Sequence, residues 1–254
     1  MVSALSVVNS YAANTYTPPL VISAVVKQIK PHNQNSFTQG WIKEGNVFYE
    51  SSGLYGRSFL QRYQSNLYST ATANLPAHYF AEGLTLFNDR LYLLTWKAET
   101  LLILNKETLA IENRLPYQGE GWGLTHNGTQ LIMSNGSSHL LFRDPKDFSI
   151  KRRITVKQSL QLNELEYVDG IIWANDWNKD SIYGISSDNG CLVATIDLSD
   201  IRQQAVTPNS SNILNGIAYD SQAHGLWITG KYWPTRYLID YPSISNKTIN
   251  NASC

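Results

Sequence analysis

The chain has 254 residues, of which 43% are hydrophobic and only 16% are charged, and its twenty basic and twenty acidic residues cancel. A neutral chain without a basic cluster lacks the electrostatic footprint of a nucleic-acid-binding protein, and no stretch has the length of a transmembrane helix. We therefore expect a large core, no nucleic-acid partner and no membrane-spanning segment.

The first nineteen residues form a polar arm with a short apolar patch at residues 4–8. The patch lacks the basic residues that begin a signal peptide, although a processed export segment remains an alternative interpretation. Pro18-Pro19 ends the arm. From Leu20 to Ile29 apolar and polar residues alternate, which predicts a half-buried strand.

Five similar segments follow, each predicting a strand that turns tightly and returns as a second apolar strand. They begin at Phe37, Tyr79, Glu120, Leu162 and Leu214. Aligning them places one column on Gln39, Glu82, Trp122, Asn163 and Asn215, with separations of 43, 40, 41 and 52 residues. Repeats of about forty residues with four strands each are typical of a β-propeller. The sequence therefore predicts an all-β fold with five blades of four antiparallel strands.

The fifth repeat offers no convincing fourth strand, whereas the strand from Leu20 to Ile29 is surplus at the start. We predict that this N-terminal strand completes the last blade and closes the ring, which removes exposed sheet edges. One short helix is predicted from Asp197 to Gln204, where helical spacing follows a capping residue. The expected organisation is an arm over 1–19, one propeller domain over 20–242 and a tail over 243–254.

The two cysteines are Cys191 and Cys254, and the second is the final residue. We expect one buried thiol and one frayed thiol rather than a disulfide, because nothing in the spacing indicates a disulfide framework.

In a propeller the innermost strand of each blade lines a central channel, and ligands bind at one mouth of it. The column side chains should therefore meet in one pocket, together with residues that follow the second strands. This second set comprises Trp96, Asn135, Asn175, Trp177, Lys231 and Trp233. Phe37 and Phe80, each two residues before the column, should wall the mouth or pack below it.

Glu82 is the strongest functional candidate, because a carboxylate among apolar neighbours is costly to bury without a partner or a task. For Lys231 the sequence supports two interpretations equally, a functional residue of the site and a plain exposed lysine. Structural roles are expected for other repeated positions, namely Asn135, Asn215, Trp173 and Trp227.

The absences favour chemistry by a single carboxylate without a metal. The five histidines show no metal-ligand spacing, there is no G-x-S-x-G elbow, and no glycine-rich phosphate loop follows a strand.

Several segments, taken in order, resemble the glutamine cyclotransferases, the glutaminyl cyclases of plant and bacterial type. The segments are Phe37-Thr38-Gln39-Gly40, Glu82-Gly83-Leu84-Thr85, Gly119-Glu120-Gly121-Trp122-Gly123-Leu124, Leu162-Asn163-Glu164-Leu165-Glu166, Ile172-Trp173-Ala174-Asn175, Leu214-Asn215-Gly216-Ile217-Ala218 and Ile228-Thr229-Gly230-Lys231-Tyr232-Trp233-Pro234. The resemblance implies a five-bladed propeller and an acyltransferase that converts the N-terminal glutamine of peptides or proteins to pyroglutamate with release of ammonia.

The resemblance also implies the site. Glu82 would be the general acid and base, with Asn163 and Lys231 as further catalytic residues. The residues implied to bind the substrate are Phe37, Gln39, Phe80, Trp96, Trp122 and Trp177. No cofactor and no catalytic metal are implied, and the expected partners are peptides or proteins that begin with glutamine.

Two alternatives remain at this point. A calcium-dependent propeller lactonase or hydrolase would need several carboxylates in the channel, whereas the column contains one. A non-catalytic propeller that binds peptide N-termini would use Glu82 only to pair with the amine. We further expect a monomer in the periplasm or outside the cell.

Overall fold

The computed structural model describes residues 18–66, 69–177, 179–206, 211–245, 248–249 and 254. Four-stranded antiparallel sheets recur around a central axis, as the repeats predicted. The first blade comprises β3 (Thr38–Glu44), β4 (Val47–Ser52), β5 (Phe59–Gln64) and β6 (Ser69–Asn74), and it follows two N-terminal strands, β1 (Leu20–Ser23) and β2 (Val26–Pro31).

The next three blades repeat this order from the axis outward. The second comprises β7 (Ala81–Phe87), β8 (Arg90–Thr95), β9 (Thr100–Asn105) and β10 (Ile111–Pro116). The third comprises β11 (Leu124–His126), β12 (Leu131–Met133), β13 (His139–Arg143) and β14 (Ile150–Thr155). The fourth comprises β15 (Leu162–Val168), β16 (Ile171–Asp176), β17 (Ser181–Ser186) and β18 (Leu192–Asp197).

The fifth blade joins the two ends of the chain. It comprises β19 (Leu214–Asp220), β20 (Gly225–Gly230), β21 (Thr235–Asp240) and, as its outermost strand, β2. Val26 pairs with Ile239 and Pro31 with Thr235 in antiparallel register. The innermost strands β3, β7, β11, β15 and β19 contact one another in sequence, and β19 contacts β3. The predicted closure by an N-terminal strand is therefore confirmed.

The single strand predicted from Leu20 to Ile29 is corrected to two. β1 does not join the last blade but pairs in parallel with β18, with Leu20 opposite Ala194, and so becomes a fifth strand on blade four. Only β2 completes the fifth blade. The alternating pattern runs through Ala24 without a turn residue, so it gave no sign that the chain passes from one blade to its neighbour there.

One helix lies in the described residues, α1 (Ser199–Ala205), in the connection between blades four and five where it was predicted. Its N-cap position is Leu198, which provides no side-chain cap. The carboxylate of Asp197 instead accepts a hydrogen bond from the backbone N–H of Ser199 at 3.0 Å. No helix in these ranges has the length and apolar character that a membrane span requires.

Apolar side chains fill the spaces between adjacent blades. Leu84 and Leu91 of blade two pack with Tyr49 and Leu60 of blade one, and this pattern of packing between neighbours recurs around the ring. Trp173 and Trp227, for which core packing was expected, are both buried. Burial of this kind contributes roughly 25 cal/mol per Å² of apolar surface and holds the blades in fixed positions around the channel.

The expectation of two free thiols is wrong, because Cys191 and Cys254 form a disulfide with their Cα atoms 5.6 Å apart. The C-terminal segment returns to blade four, where Ile244, Ile249 and Cys254 pack against the core of blades four and five. A contact made across 63 residues leaves no signal in the local sequence. The arm predicted over residues 1–19 lies outside the described residues except for Pro18 and Pro19.

Candidate active site

One mouth of the channel contains a pocket of about 310 Å³ in which the predicted site residues meet. Its lining consists of Phe37, Gln39, Phe80, Glu82, Trp96, Trp122, Asn163, Trp177, Ile213 and Lys231. In an antiparallel hairpin the start of the first strand lies beside the end of the second. Column residues at the start of each innermost strand and residues after each second strand therefore lie at the same mouth.

Glycines after the column residues let the innermost strands approach closely. A Cβ atom on Gly123 would lie 1.9 Å from the backbone oxygen of Asn163, and one on Gly83 would lie 2.4 Å from the backbone nitrogen of Leu124. The N–H of Gly83 donates to the backbone oxygen of Trp122 at 2.6 Å. Backbones in contact at this distance hold the column side chains close together at the mouth.

Glu82 lies at the centre of this arrangement and is only 5% exposed. Its Oε1 accepts a hydrogen bond from Nε2 of Gln39 at 3.3 Å, across the boundary between blades one and two. Burial raises the pKa of the Glu82 carboxyl well above its ordinary value. The charge of Lys231 opposes that shift, and the charge of Glu120 adds to it. Glu82 is thereby suited to both accept and donate a proton.

Lys231 follows β20 and is buried with its side chain in the pocket. Its Nζ lies 4.4 Å from the ring centroid of Phe37, and its backbone N–H donates to the oxygen of Ile213 at 2.9 Å. Tyr232 then adopts a left-handed conformation with φ of 62°, which turns the chain sharply away. Burial lowers the pKa of Lys231 to about 8, with the charge of Glu82 opposing the shift. The plain exposed lysine considered from the sequence is excluded.

Asn163 presents an unsatisfied group to the same region. Its backbone oxygen accepts a hydrogen bond from Oγ of Ser134 at 2.6 Å, which fixes the residue. Its side-chain Oδ1 is buried and has no hydrogen-bond partner within the described residues. Because a buried amide without a partner costs free energy, this group is prepared for a polar atom of a ligand.

Aromatic rings make up most of the wall on either side of the acid. On one side Phe80 packs edge-on against Phe37 and Trp96, with ring centroids 6.3 and 5.5 Å apart. On the other side Trp122 and Trp177 form a perpendicular pair at 5.8 Å. These faces exclude water from the site and account for the desolvation of Glu82 and Lys231.

Four other residues considered for the mouth lie outside the pocket. Asn215 is buried and donates from Nδ2 to the backbone oxygens of Thr38 and Gln39 at 2.9 and 3.2 Å, so it has the structural role expected for it. Asn175 accepts from the N–H of Gly216 at 3.0 Å. Asn135 accepts from Oγ of Ser137, and Trp233 is buried with its indole N–H donating to the oxygen of Asn212.

The sequence reasoning missed Glu164, which follows Asn163 on β15. Its Oε1 accepts from the N–H of Trp41 on blade one at 3.3 Å, and its Oε2 accepts from the N–H of Ile217 on blade five at 2.9 Å. One carboxyl group thus links three blades across the channel. The aligned repeats contain a usable signal, because the other four have glycine here.

Glu120 and Ile213 were missed as well. Ile213 lines the pocket directly before β19, where an apolar residue gives no functional signal. Glu120 lies behind the indoles of Trp96 and Trp122 and accepts a hydrogen bond from each. Glu120 belongs to one of the segments that resemble the family and lies two residues before the column residue Trp122. Nothing in the local sequence shows that its carboxylate accepts hydrogen bonds from two indoles.

No group of three or more potential metal ligands occurs in the parts of the chain that the structure describes. The pocket instead combines one carboxyl group, one amine and two amides within aromatic walls. A buried acid beside an amine and an amide can move protons and stabilise an oxyanion during acyl transfer.

Comparison with known proteins gives consistent matches. Residues 1–241 match the family model described as glutamine cyclotransferase. The glutaminyl-peptide cyclotransferase of Arabidopsis thaliana is 34% identical over 229 residues, which cover 87% of this chain and 72% of that protein.

Among solved structures, the glutaminyl cyclase of Myxococcus xanthus superposes with a TM-score of 0.83 at 30% identity, covering 90% of this chain and 100% of that one. The WD40 propeller domain of Doa1 superposes with a TM-score of 0.51 at 8% identity, covering 82% of this chain and 64% of that one, a likeness of fold alone.

Proposed function

The chain belongs to the glutamine cyclotransferase family, and from this we propose that it converts the N-terminal glutamine of peptides to pyroglutamate with release of ammonia. The observation that carries the proposal is the buried carboxyl of Glu82, the one acidic group among the described residues that line the pocket. The comparisons favour this reading over a calcium-dependent lactonase and over a non-catalytic peptide binder.

In the proposed reaction the substrate's α-amine attacks the carbonyl carbon of its own side-chain amide. A C–N bond forms and closes a five-membered ring, and the carbonyl oxygen becomes an oxyanion. The bond to the amide nitrogen then breaks, and that nitrogen leaves as ammonia. Because both reacting groups belong to one residue, the protein has to select the folded conformer and supply proton transfers.

Glu82 performs those transfers in our proposal. As a carboxylate it takes the proton that the α-nitrogen loses as it bonds to the carbonyl carbon, and as an acid it delivers that proton to the departing amide nitrogen. Its raised pKa suits both steps, since a group that titrates nearer the working pH exchanges protons more effectively. The hydrogen bond from Gln39 fixes the carboxyl orientation.

The oxyanion is stabilised by Lys231 or by the amide of Asn163. Lys231 lines the pocket and has no ion pair within the described residues, so its ammonium group is available to a developing negative charge. The side-chain amide of Asn163 lines the same pocket, and its Nδ2 is the group that would donate to the oxyanion, whereas its unpaired Oδ1 would accept from an N–H group of the substrate. Donors held in place before the reaction stabilise charge that develops in the transition state. We propose that no metal takes part.

The aromatic walls hold the glutamine side chain, and the rest of the peptide extends through the open mouth. Phe37 and Phe80 flank Glu82 on one side, with Trp122 and Trp177 on the other. We also propose that the protein is a monomer that binds no nucleic acid, in keeping with its zero net charge. The disulfide between Cys191 and Cys254 supports an oxidising location, periplasmic or extracellular.

The proposal is tested by measuring ammonia release from a dipeptide that begins with glutamine, with and without a chelator. The matched substrates are the same dipeptide acetylated on its α-amine and one that begins with asparagine. We expect chelator-resistant release from the first alone, because acetylation removes the nucleophile and asparagine would have to close a strained four-membered ring. Binding of the glutamine dipeptide by folded protein without ammonia release would contradict it.

A further inference from the structure

Glu120 joins two tryptophans of the pocket wall, Trp96 and Trp122, which come from neighbouring blades. Its Oε2 accepts a hydrogen bond from the indole N–H of Trp96 at 2.8 Å and another from that of Trp122 at 3.0 Å. Trp96 follows β8 of blade two, whereas Trp122 precedes β11 of blade three. A single carboxylate oxygen therefore sets the relative position of two rings that come from different blades.

Lys97 completes this arrangement from outside the pocket. Its Nζ lies 3.5 Å from Oε1 of Glu120 and 4.1 Å from the centroid of the Trp96 ring. The other neighbours of that ring are Phe80 at 5.5 Å and Tyr55 at 6.4 Å. Trp96 is thus held through its N–H by Glu120 and through its ring by a cation and two aromatic side chains.

The backbone around Glu120 is also fixed. Gly119 has a positive φ of 87°, and its N–H donates to Oε1 of Glu99 at 2.8 Å. The N–H of Gly121 donates to the backbone oxygen of Trp96 at 3.1 Å. One backbone hydrogen bond before Glu120 and one after it therefore hold the chain so that the carboxylate faces the indoles.

We propose that Glu120 is a positioning residue for the cyclase reaction, which fixes Trp96 and Trp122 in the geometry that binds the substrate's glutamine. The inference rests on the proposed function, since it assigns those two rings to the substrate-binding wall. Both indole N–H groups donate to one carboxylate oxygen, so the place of that oxygen sets the relative position of the two rings, and an uncharged oxygen in the same place can accept both bonds.

A role in general stability is a poor explanation for this carboxylate. Its side chain is 40% exposed at the pocket rim, and it belongs to a connection between blades rather than to a strand. Exposed ion pairs such as that with Lys97 contribute little to stability. What the side chain does contact is two rings of the site.

The test compares Glu120→Ala with Glu120→Gln, because glutamine keeps an oxygen that can accept an indole N–H. Glu112→Ala is the control, as Glu112 is a similarly exposed glutamate on β10 of blade two, paired with Arg90 away from the pocket. The measurements are kcat and KM for a glutamine dipeptide, the melting temperature and the near-ultraviolet circular dichroism of the tryptophans without substrate.

We expect Glu120→Ala to lower kcat/KM by about tenfold to a hundredfold, mostly through a higher KM, since a small misplacement of substrate has effects of this size. Glu120→Gln should stay within about threefold of the wild type, and its tryptophan spectrum should resemble the wild type more than the alanine variant does. Glu112→Ala should change neither activity nor spectrum.

A Glu120→Ala variant with wild-type kinetics would overturn the proposal. So would a folded Glu120→Gln variant as impaired as the alanine variant, because charge and not hydrogen bonding would then be what matters. If Glu120→Ala fails to fold, the kinetics and spectrum of Glu120→Gln decide between these outcomes. A wild-type protein that releases no ammonia would refute the cyclase activity, whereas the spectra would still report whether Glu120 orients the indoles.

Discussion

Glu82 and Lys231 share one pocket without forming an ion pair in the described part of the chain, and burial shifts both toward their neutral forms. The pKa of the acid is raised well above its ordinary value, and the pKa of the amine falls to about 8. Each charge partly opposes the shift of the other. Both shifts therefore move the pKa values of these groups toward the range in which they can exchange protons with a substrate.

The first prediction concerns the alkaline limb of the pH profile. A lysine with a pKa of about 8 is an ammonium group below that pH and loses its charge above it. If the charge stabilises the oxyanion, kcat/KM should fall as the pH rises through about 8. Lys231→Arg should be less active, since guanidinium geometry differs, but its alkaline limb should disappear. A limb that remains at the same pH in this variant would exclude Lys231 as its origin.

Asn163 should contribute to the chemical step. We expect Asn163→Ala to lower kcat by about 10²- to 10³-fold, the usual effect of removing one donor to an oxyanion. The matched control is Asn135→Ala, an asparagine that follows β12 of blade three and lies outside the pocket. Steady-state kinetics of both variants at one pH check this. Equal, small effects of the two substitutions would contradict the assignment.

Glu164 should make the stability of the fold depend on pH. Burial and the charge of Glu166 raise the pKa of Glu164 well above its ordinary value, although the backbone N–H groups of Trp41 and Ile217 donate hydrogen bonds to it. An acid whose folded pKa is raised destabilises the fold as the pH rises above the unfolded pKa, roughly 4.3. The free energy of unfolding should thus decrease between pH 5 and pH 8.

Glu164→Gln should remove part of this dependence. The free energy of unfolding of the variant, taken relative to that of the wild type, should be higher at pH 8 than at pH 5, as measured by urea unfolding at both pH values. The comparison across pH cancels the constant cost of placing an amide opposite the N–H groups of Trp41 and Ile217. The same difference at both pH values would show that Glu164 does not titrate with a raised pKa.

The disulfide should contribute to stability but not to catalysis. Closing a loop across 63 residues stabilises a fold by about 2–4 kcal/mol, mainly by constraining the unfolded chain. We expect Cys254→Ser to lower the free energy of unfolding by about that amount in denaturant titrations, with kcat/KM unchanged. Reductant should destabilise the wild type to the level of the variant. An unchanged unfolding midpoint in both tests would show that the bond contributes nothing.

The sequence predicted most of the fold because a propeller repeats its pattern. Five occurrences of one hairpin gave the blade count, and turn residues gave most connections. The strand from Leu20 to Ile29 shows the limit, since its alternation cannot reveal that β1 pairs in parallel with β18 on the neighbouring blade. The bond between Cys191 and Cys254 shows the same limit, because long-range contacts depend on how the tail packs.

The candidate site was predictable where it follows the repeat. Gln39, Glu82, Trp122 and Asn163 share a column, and the antiparallel hairpin brings Lys231 to them. Residues that act on the pocket from behind were not predicted, as with Glu120, whose role depends on two indole N–H groups from different blades. The column also contained Asn215, for which the sequence favoured a structural role, and its hydrogen bonds to the backbone of blade one agree with that expectation.

The most direct test of the account is ammonia release from a glutamine dipeptide by the wild type, Glu82→Gln and the control Glu112→Gln. Glutamine preserves the shape of residue 82 and can keep a contact with Gln39, but it cannot transfer protons. We predict that Glu82→Gln lowers kcat by about 10²- to 10⁴-fold with an unchanged melting temperature or a higher one, while the control stays at the wild-type rate. Full activity in a folded Glu82→Gln variant would contradict the central claim that this carboxyl group performs the proton transfers.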